Sequence, residues 1–178
     1  MTIKPKIEKY VTDIVAALQN AGYEAYIVGG AVRDFLLDRQ PKDYDISTSA
    51  TPEEVKKVFR KQRCMIIGRR FRLVHLYHGK EILEISTFRK KPEHNASAPE
   101  KMNPAKRAAA PENMIFRDNE FGTVQEDAWR RDFTVNALFY DPVNDRIHDY
   151  TGHGLDDIRD GIVRIIGDPV TRLEEDPV

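Results

Sequence analysis

The sequence contains one cysteine, Cys64, in 178 residues. No disulfide can form within such a chain, and no cysteine-based metal site can be assembled from it. It contains no apolar run approaching the ~20 residues that a membrane helix requires. The N-terminal stretch MTIKPKIEKY lacks the apolar core and cleavage site of a secretory signal. There is no internal repeat. Nor is there an excess of either charge, since 28 Lys+Arg stand against 29 Asp+Glu for a formal net charge of -1. These absences argue against a disulfide scaffold, a membrane span, a repeat array and a uniformly polycationic chain, and they fit a cytoplasmic protein without a membrane role.

The residues present describe a soluble globular protein, 40% hydrophobic and 32% charged, long enough for one well-buried domain. Basic residues cluster locally in KKVFRKQR (56–63), GRRFR (68–72), FRKK (88–91) and WRR (129–131). Balanced totals can conceal a basic face of the kind that binds phosphates, although solvated helix faces explain the same clusters.

Residues 6–20 place Ile7, Tyr10, Val11, Ile14, Val15 and Leu18 at helical spacing, with Gly22 as a stop. EAYIV (24–28) reads as a strand running into GGAVRDFLLD, a helix that opens at the glycines. DYDIST is the next strand. Thr51, Pro52 and Glu54 then form a capping-box helix start. FRLVHLYH (71–78) and EILEISTF (81–88) predict two strands around a hairpin turn. From Arg89 to about Asn113 prolines and small residues replace apolar periodicity, which predicts a flexible loop over 90–113. Residues 123–141 read as a helical stretch in which Ala128, Phe133, Ala137 and Leu138 face the core. The remainder reads as strand, turn, short helix and strand. Interleaved helices and strands make the class α/β or α+β, with a mixed β-sheet flanked by helices.

Three features carry chemistry. Gly29-Gly30 lies where a strand meets a helix, so the backbone can approach a ligand closely and N–H groups can face an anion. Arg33 follows one turn on, on a side that can reach a phosphate. A plain strand-to-helix turn explains the glycines alone, but Asp43 and Asp45 follow closely, two apart in a strand-like run that sends both carboxylates to one face. Such a pair is tolerable where cations cancel its repulsion, as in two-metal sites with ions roughly 3.5–4 Å apart. An anion cradle beside paired carboxylates describes a site for a nucleoside triphosphate and divalent metal. In RRDFTVN (130–136), helical spacing would put Asp132 and Asn136 on one face, able to hydrogen-bond a ribose, with Arg131 reaching the triphosphate. A salt-bridged amphipathic helix accounts for that segment equally well. Glu84 offers a further acid, and its alternation with Ile82, Leu83 and Ile85 reads as an outward surface residue.

Taken in order, VGGAVRDFLL, KDYDIST, RRDFTVNALFYD and EEDPV resemble the class II nucleotidyltransferases of the polymerase-β superfamily, which comprise bacterial poly(A) polymerases and tRNA CCA-adding enzymes. The resemblance runs from about Tyr23 to the end. Within it, IIGRRFRLVHLYH (66–78) is similar to the signature that separates poly(A) polymerases from CCA-adding enzymes. It implies a polymerase-β-like head over 1–178, with residues 1–22 as an N-terminal helix and without the neck, body and tail domains of longer members. In those members the arginine-bearing helix that reads the base lies past EEDP. The implied reaction is template-independent transfer of AMP from ATP to the 3′-hydroxyl of RNA with two Mg2+ ions, or Mn2+. Addition of CCA to tRNA is the alternative. A non-catalytic nucleotide- or RNA-binding module is a third reading, against which the intact aspartate pair speaks. By the resemblance Asp43 and Asp45 are catalytic metal ligands, Gly29, Gly30 and Arg33 bind the triphosphate, and Arg131 and Asn136 bind the nucleotide. Asp132 matches a position that is catalytic in poly(A) polymerases and a nucleotide contact in CCA-adding relatives.

Overall fold

The computed structural model describes residues 7–68, 72–91 and 120–175, with side chains up to Arg172. Its centre is a seven-stranded mixed sheet of β1 (Ala25–Val28), β2 (Asp45–Thr48), β3 (Cys64–Ile67), β4 (Leu73–His78), β5 (Glu81–Thr87), β6 (Leu138–Asp141) and β7 (Arg146–Asp149). The spatial order is β3-β4-β5-β2-β1-β6-β7. Every neighbouring pair is antiparallel except β2 and β5, which run parallel and bring Asp45 opposite Glu84. The connection between those two strands carries α3 (Pro52–Val58) and the β3–β4 hairpin.

Alternation along the strands divides the sheet into two unlike faces. Ile27, Ile46, Val74, Leu76, Leu83, Ile85, Leu138 and Tyr140 point to one face and form the main core. Against them pack Val11, Ile14, Val15 and Leu18 of α1 (Lys9–Asn20), Val32 and Phe35 of α2 (Gly30–Leu36), and Val55 of α3. The predicted helical spacing in α1 and the Thr51–Glu54 capping box are both present. On the other face Tyr26, Val28, Phe88 and Phe139 pack beneath Val124 and Ala128 of α4 (Val124–Trp129). That smaller core covers β1 and β6, while Asp45, Met65, Ile82 and Glu84 on the same face stay exposed.

The continuous helix expected over 123–141 does not form. A capping box of Thr123 and Glu126 starts α4, which ends at Trp129. Phe133 is extended, Thr134–Asn136 make one 3-10 turn, and Leu138–Asp141 enter the sheet as β6, buried at all four positions. A short apolar run is ambiguous between strand and helix, and pairing with β1 and β7 decides it. The strand expected at the end is only an isolated bridge between Phe133 and Ile165, followed by α6 (Pro169–Glu175). The short helix before it, α5 (Gly154–Asp160), forms as expected. Residues 64–67, to which no element was assigned from the sequence, form the edge strand β3.

Most of the loop expected over 90–113 lies outside the described residues. The described segments on either side of residues 92–119 are held together, since Lys90 N–H donates to Glu120 O (3.0 Å) and Gly122 N–H to Phe88 O (2.9 Å). The approach is tight enough that a Cβ on Gly122 would sit 2.8 Å from Lys90 N, which only glycine avoids. Among the described residues no helix is long and apolar enough to cross a membrane.

Asp157 ties α5 to the 3-10 turn and to the returning chain. Arg164 donates from Nε to Oδ2 and from Nη2 to Oδ1, both at 2.9 Å, and Thr134 Oγ1 donates to Oδ2 at 2.6 Å. These bonds from Arg164 and Thr134 lower its carboxyl from 3.8 to about 2. A carboxyl lowered on folding stabilises fully above its unfolded value and loses that contribution as the pH falls through its folded value. Asp157→Asn should therefore reduce the urea midpoint at neutral pH. The deficit relative to wild type should narrow as the pH drops from 3.8 toward about 2, and a deficit constant over that range would assign the effect to packing alone.

Candidate functional site

The turn after β1 sets the site. Gly29 has φ 70° and ψ -137°, a conformation natural to glycine, and α2 begins at the next residue. Without side chains at Gly29 and Gly30, two guanidiniums lie against the bare backbone. An added Cβ would be 3.7 Å from Arg131 Nη1 at Gly29 and 3.4 Å from Arg33 Nη2 at Gly30. Arg33 donates from Nη1 to Asn136 Oδ1 (3.1 Å) and from Nε and Nη2 to Asp34 Oδ1 (3.0 and 2.8 Å). Arg131 donates to Asn136 O (3.4 Å), Ser47 Oγ (3.3 Å) and Asp127 Oδ2 (3.0 Å), and its guanidinium lies 5.1 Å from the Phe139 ring centroid. Arg131 Nε is buried with no acceptor among the described residues. Gly29, Gly30, Arg33, Arg131 and Asn136, singled out separately in the sequence, thus form one cluster.

Beside it stand the carboxylates. The strand expected to hold both begins only at Asp45, so Asp43 precedes it, and Tyr44 between them is buried in the core. Asp43 and Asp45 are both open to solvent. Parallel pairing puts Glu84 directly across from Asp45, and Glu84 Oε1 is 3.2 Å from His75 Nε2 on the next strand. Glu84 is therefore not an isolated surface residue. Desolvation raises the Asp45 carboxyl, Glu84 and then Asp43 add to the rise, and Arg131 opposes it. Negative charge is concentrated where a cation would relieve it. Among the described residues no three His, Cys, Asp or Glu side chains are grouped to hold a metal by themselves. Hard carboxylate oxygens flanked by guanidiniums fit a magnesium-type ion that takes one or two carboxylates and completes its shell with phosphate oxygens and water.

Asp132 does not share a helical face with Asn136. It sits in the turn between α4 and the 3-10 turn, its carbonyl accepting the Ile166 N–H (2.8 Å). Its exposed carboxylate makes no hydrogen bond or ion pair among the described residues. Two supporting residues were not anticipated. Asp127 is wholly buried on α4, where Arg130 and Arg131 flank it at 2.8 and 3.0 Å and the Arg89 N–H donates to it at 3.1 Å. Desolvation pushes its carboxyl up, but Arg131, Arg130 and these hydrogen bonds outweigh burial and hold it below the usual range. The i,i+3 and i,i+4 spacing to two arginines was its signal in the sequence. Arg172 has none, because its partners are carbonyls. It donates to Ile166 O (2.9 Å), Arg130 O (3.1 Å) and Trp129 O (2.7 Å), closing the C-terminus of α4 next to Arg131.

Asp127→Asn keeps the shape but leaves two part-buried guanidiniums without their counter-charge. Breaking a buried pair from one side costs about 3 kcal/mol or more, so denaturant unfolding should report a loss of that order. A loss within experimental error would mean that solvent reaches the pair.

Comparisons with known proteins identify the family and the fold. The family described as "Poly A polymerase head domain" matches residues 25–164. Poly(A) polymerase I of Haemophilus influenzae is 49% identical over 166 residues, 93% of this chain and 35% of that protein. Poly(A) polymerase I of Escherichia coli is 46% identical over 172 residues, and a CCA-adding enzyme of Lactobacillus helveticus is 40% identical over 163. The chain spans about a third of the length of these relatives, 35 to 36%. Among solved structures, the Bacillus stearothermophilus CCA-adding enzyme in complex with CTP matches with a TM-score of 0.71 and 32% identity, over 94% of this chain and 35% of that one. This chain belongs to the family of poly A polymerase head domains.

Proposed function

We propose that the chain is the catalytic head of an RNA nucleotidyltransferase that transfers AMP from ATP to the 3′-hydroxyl of RNA without a template. One observation carries this reading: two guanidiniums lie over a Gly-Gly turn, and one of them, Arg131, acts on Asp45, which opens β2 with Asp43 just before it. In the reaction the 3′-hydroxyl loses its proton to water, its oxygen bonds to the α-phosphorus, the bond from that phosphorus to the bridging oxygen breaks, and pyrophosphate leaves. Arg33 and Arg131 hold the triphosphate, and the glycine backbone lets it approach. The Asn136 side-chain oxygen is already taken by Arg33, so its NH2 group remains to donate to the ribose. The exposed Asp132 carboxylate, which follows Arg131 in the chain, would accept from a ribose hydroxyl. Asp43 and Asp45 would hold magnesium, which when bound would neutralise phosphate charge and polarise the reacting centre. Fixed charges and positioning supply most of the acceleration in phosphoryl transfer generally.

Relatives of 46–49% identity named Poly(A) polymerase I favour AMP addition over CCA addition, whose relatives here lie at 35–40%. Incubating the protein with an unstructured RNA and with a tRNA lacking its CCA end, each nucleotide supplied separately, distinguishes the two. Extended A-tracts on the unstructured RNA support the proposal. Addition confined to C-C-A on the tRNA supports the second reading, and no addition to either rejects both.

Asp45→Asn should abolish transfer, with a loss of at least a thousandfold, while the thermal midpoint without magnesium stays equal or rises, because a carboxylate crowded by Glu84 and Asp43 has been neutralised. Transfer within tenfold of wild type in magnesium would remove Asp45 from the metal site.

The groups that converge here are suited to phosphate and ribose rather than to a base edge. Such contacts position a ligand without identifying its base. Calorimetric titration of this chain with ATP, CTP, GTP and UTP in magnesium should give affinities within a few-fold of one another. A tenfold preference for ATP, about 1.4 kcal/mol, would show that base recognition lies within these residues.

A further inference from the structure

Phosphoryl transfer proceeds with the attacking and leaving oxygens roughly in line through the phosphorus. The groups assigned to the triphosphate lie on one side of the carboxylates, at β1, α2 and β6. Arg131 reaches over Phe139, and Arg33 meets Asn136. An acceptor hydroxyl must then approach from the opposite side, across β5, β4 and β3. That half of the face bears an unusual surface. Met65, His75, Glu84 and Asp45 form one cross-strand row. Beside it Tyr77 pairs with Ile82, and the Arg63 guanidinium lies 4.3 Å from the Tyr77 ring centroid. Ile67 ends the same side of β3. Met65 and Ile67 on β3 and Ile82 on β5 are 43%, 37% and 50% exposed, high values for apolar side chains on one sheet face. The described helices α1 to α3 pack on the other face, and α4 packs over β1 and β6. At the sheet edge the basic run 56–63 reaches β3 with Arg60, Lys61 and Arg63 exposed.

Resting on the reading above, we infer that this open face of β5, β4 and β3 holds the last nucleotides of a single-stranded RNA acceptor. Tyr77, Met65 and Ile82 form the surface on which bases stack, and Arg63 with its basic neighbours contacts phosphates. Alternating aromatic or apolar side chains with flanking cations is the chemistry by which proteins hold single strands irrespective of sequence. Continuity with the Asp45–Glu84 row favours a nucleic acid as the occupant. A protein covering this patch would block the side from which the hydroxyl must come. The cation over Tyr77 also suits a base, since bases stack on guanidinium planes as they do on rings.

The test uses equilibrium binding, which needs no turnover. Fluorescence anisotropy of labelled octaadenylate with this protein in magnesium should show about tenfold weaker binding for Tyr77→Ala and a several-fold loss for Ile82→Ser. Tyr77→Phe, which keeps the ring, should bind as wild type. Arg63→Gln should flatten the salt dependence by slightly less than one phosphate contact. ATP affinity should be unchanged in all four variants, which also reports that each is folded. If Tyr77→Ala and Ile82→Ser bind the oligonucleotide as wild type does, or if wild type fails to bind it, the inference is overturned and the patch is left as a protein contact. Wild type that binds the oligonucleotide with these losses yet transfers no AMP would instead count against the proposed reaction, leaving the binding face in place.

Discussion

A single buried carboxylate organises the ligand-facing half of the molecule. Asp127 is fully enclosed, and a charge so placed persists only if counter-charges and hydrogen bonds replace its water. Arg130, Arg131 and the Arg89 N–H supply them from three chain positions. The same carboxylate therefore seats α4 on the sheet, holds the segment following β5, and aims the Arg131 guanidinium at Ser47 and the glycine turn. Arg172 acts on the same segment from outside by satisfying the carbonyls that α4 leaves open at its end.

The sheet contributes a second constraint. Among the described strands only β2 and β5 run parallel, and their register places Glu84 beside Asp45, with His75 next in the row. The two faces of the sheet are thereby specialised. One is filled by three helices and is the main source of hydrophobic stabilisation. The other is divided at β2, with α4 and the guanidiniums on one side and an uncovered row of acid, histidine and apolar groups on the other. Side chains on a strand are held more rigidly than side chains on a loop, and Asp45 and Glu84 stand at the boundary between the two halves.

The site is also electrically polarised across a short distance. The Arg131 guanidinium offsets the charge of Asp45, and Glu84 and Asp43 add to it. Before ligands arrive the carboxylate is strained by its acidic neighbours, which keeps the ground state receptive to cations. A triphosphate bound by the arginines and a cation bound by the aspartates would each relieve charge left by the other. Binding of the two is then expected to be mutually reinforcing.

Much of this was legible in the sequence because the signals were local. The apolar spacing of α1, the Thr51 capping box and the Gly29-Gly30 turn each depend on residues within a few positions, and each formed. Asp43 and Asp45 were recognisable because two like charges two residues apart need an external reason. The stretch from 123 to 141 failed because Leu138, Phe139 and Tyr140 fit a helix or a strand, and the choice rests on β1, more than a hundred residues earlier. Glu84 faces outward as its alternation predicts, but its place beside Asp45 was hidden for the same reason: it comes from a parallel partner, and parallel register leaves no trace in local alternation. Arg172 speaks to carbonyls, which every residue possesses, so nothing in its neighbourhood marks it. The sequence by itself determined which residue types were available and the elements whose signals close within a turn or two. Tertiary structure alone decided which face each functional group shares, because long-range strand pairing and buried charge compensation are properties of contacts that exist only once the chain has folded.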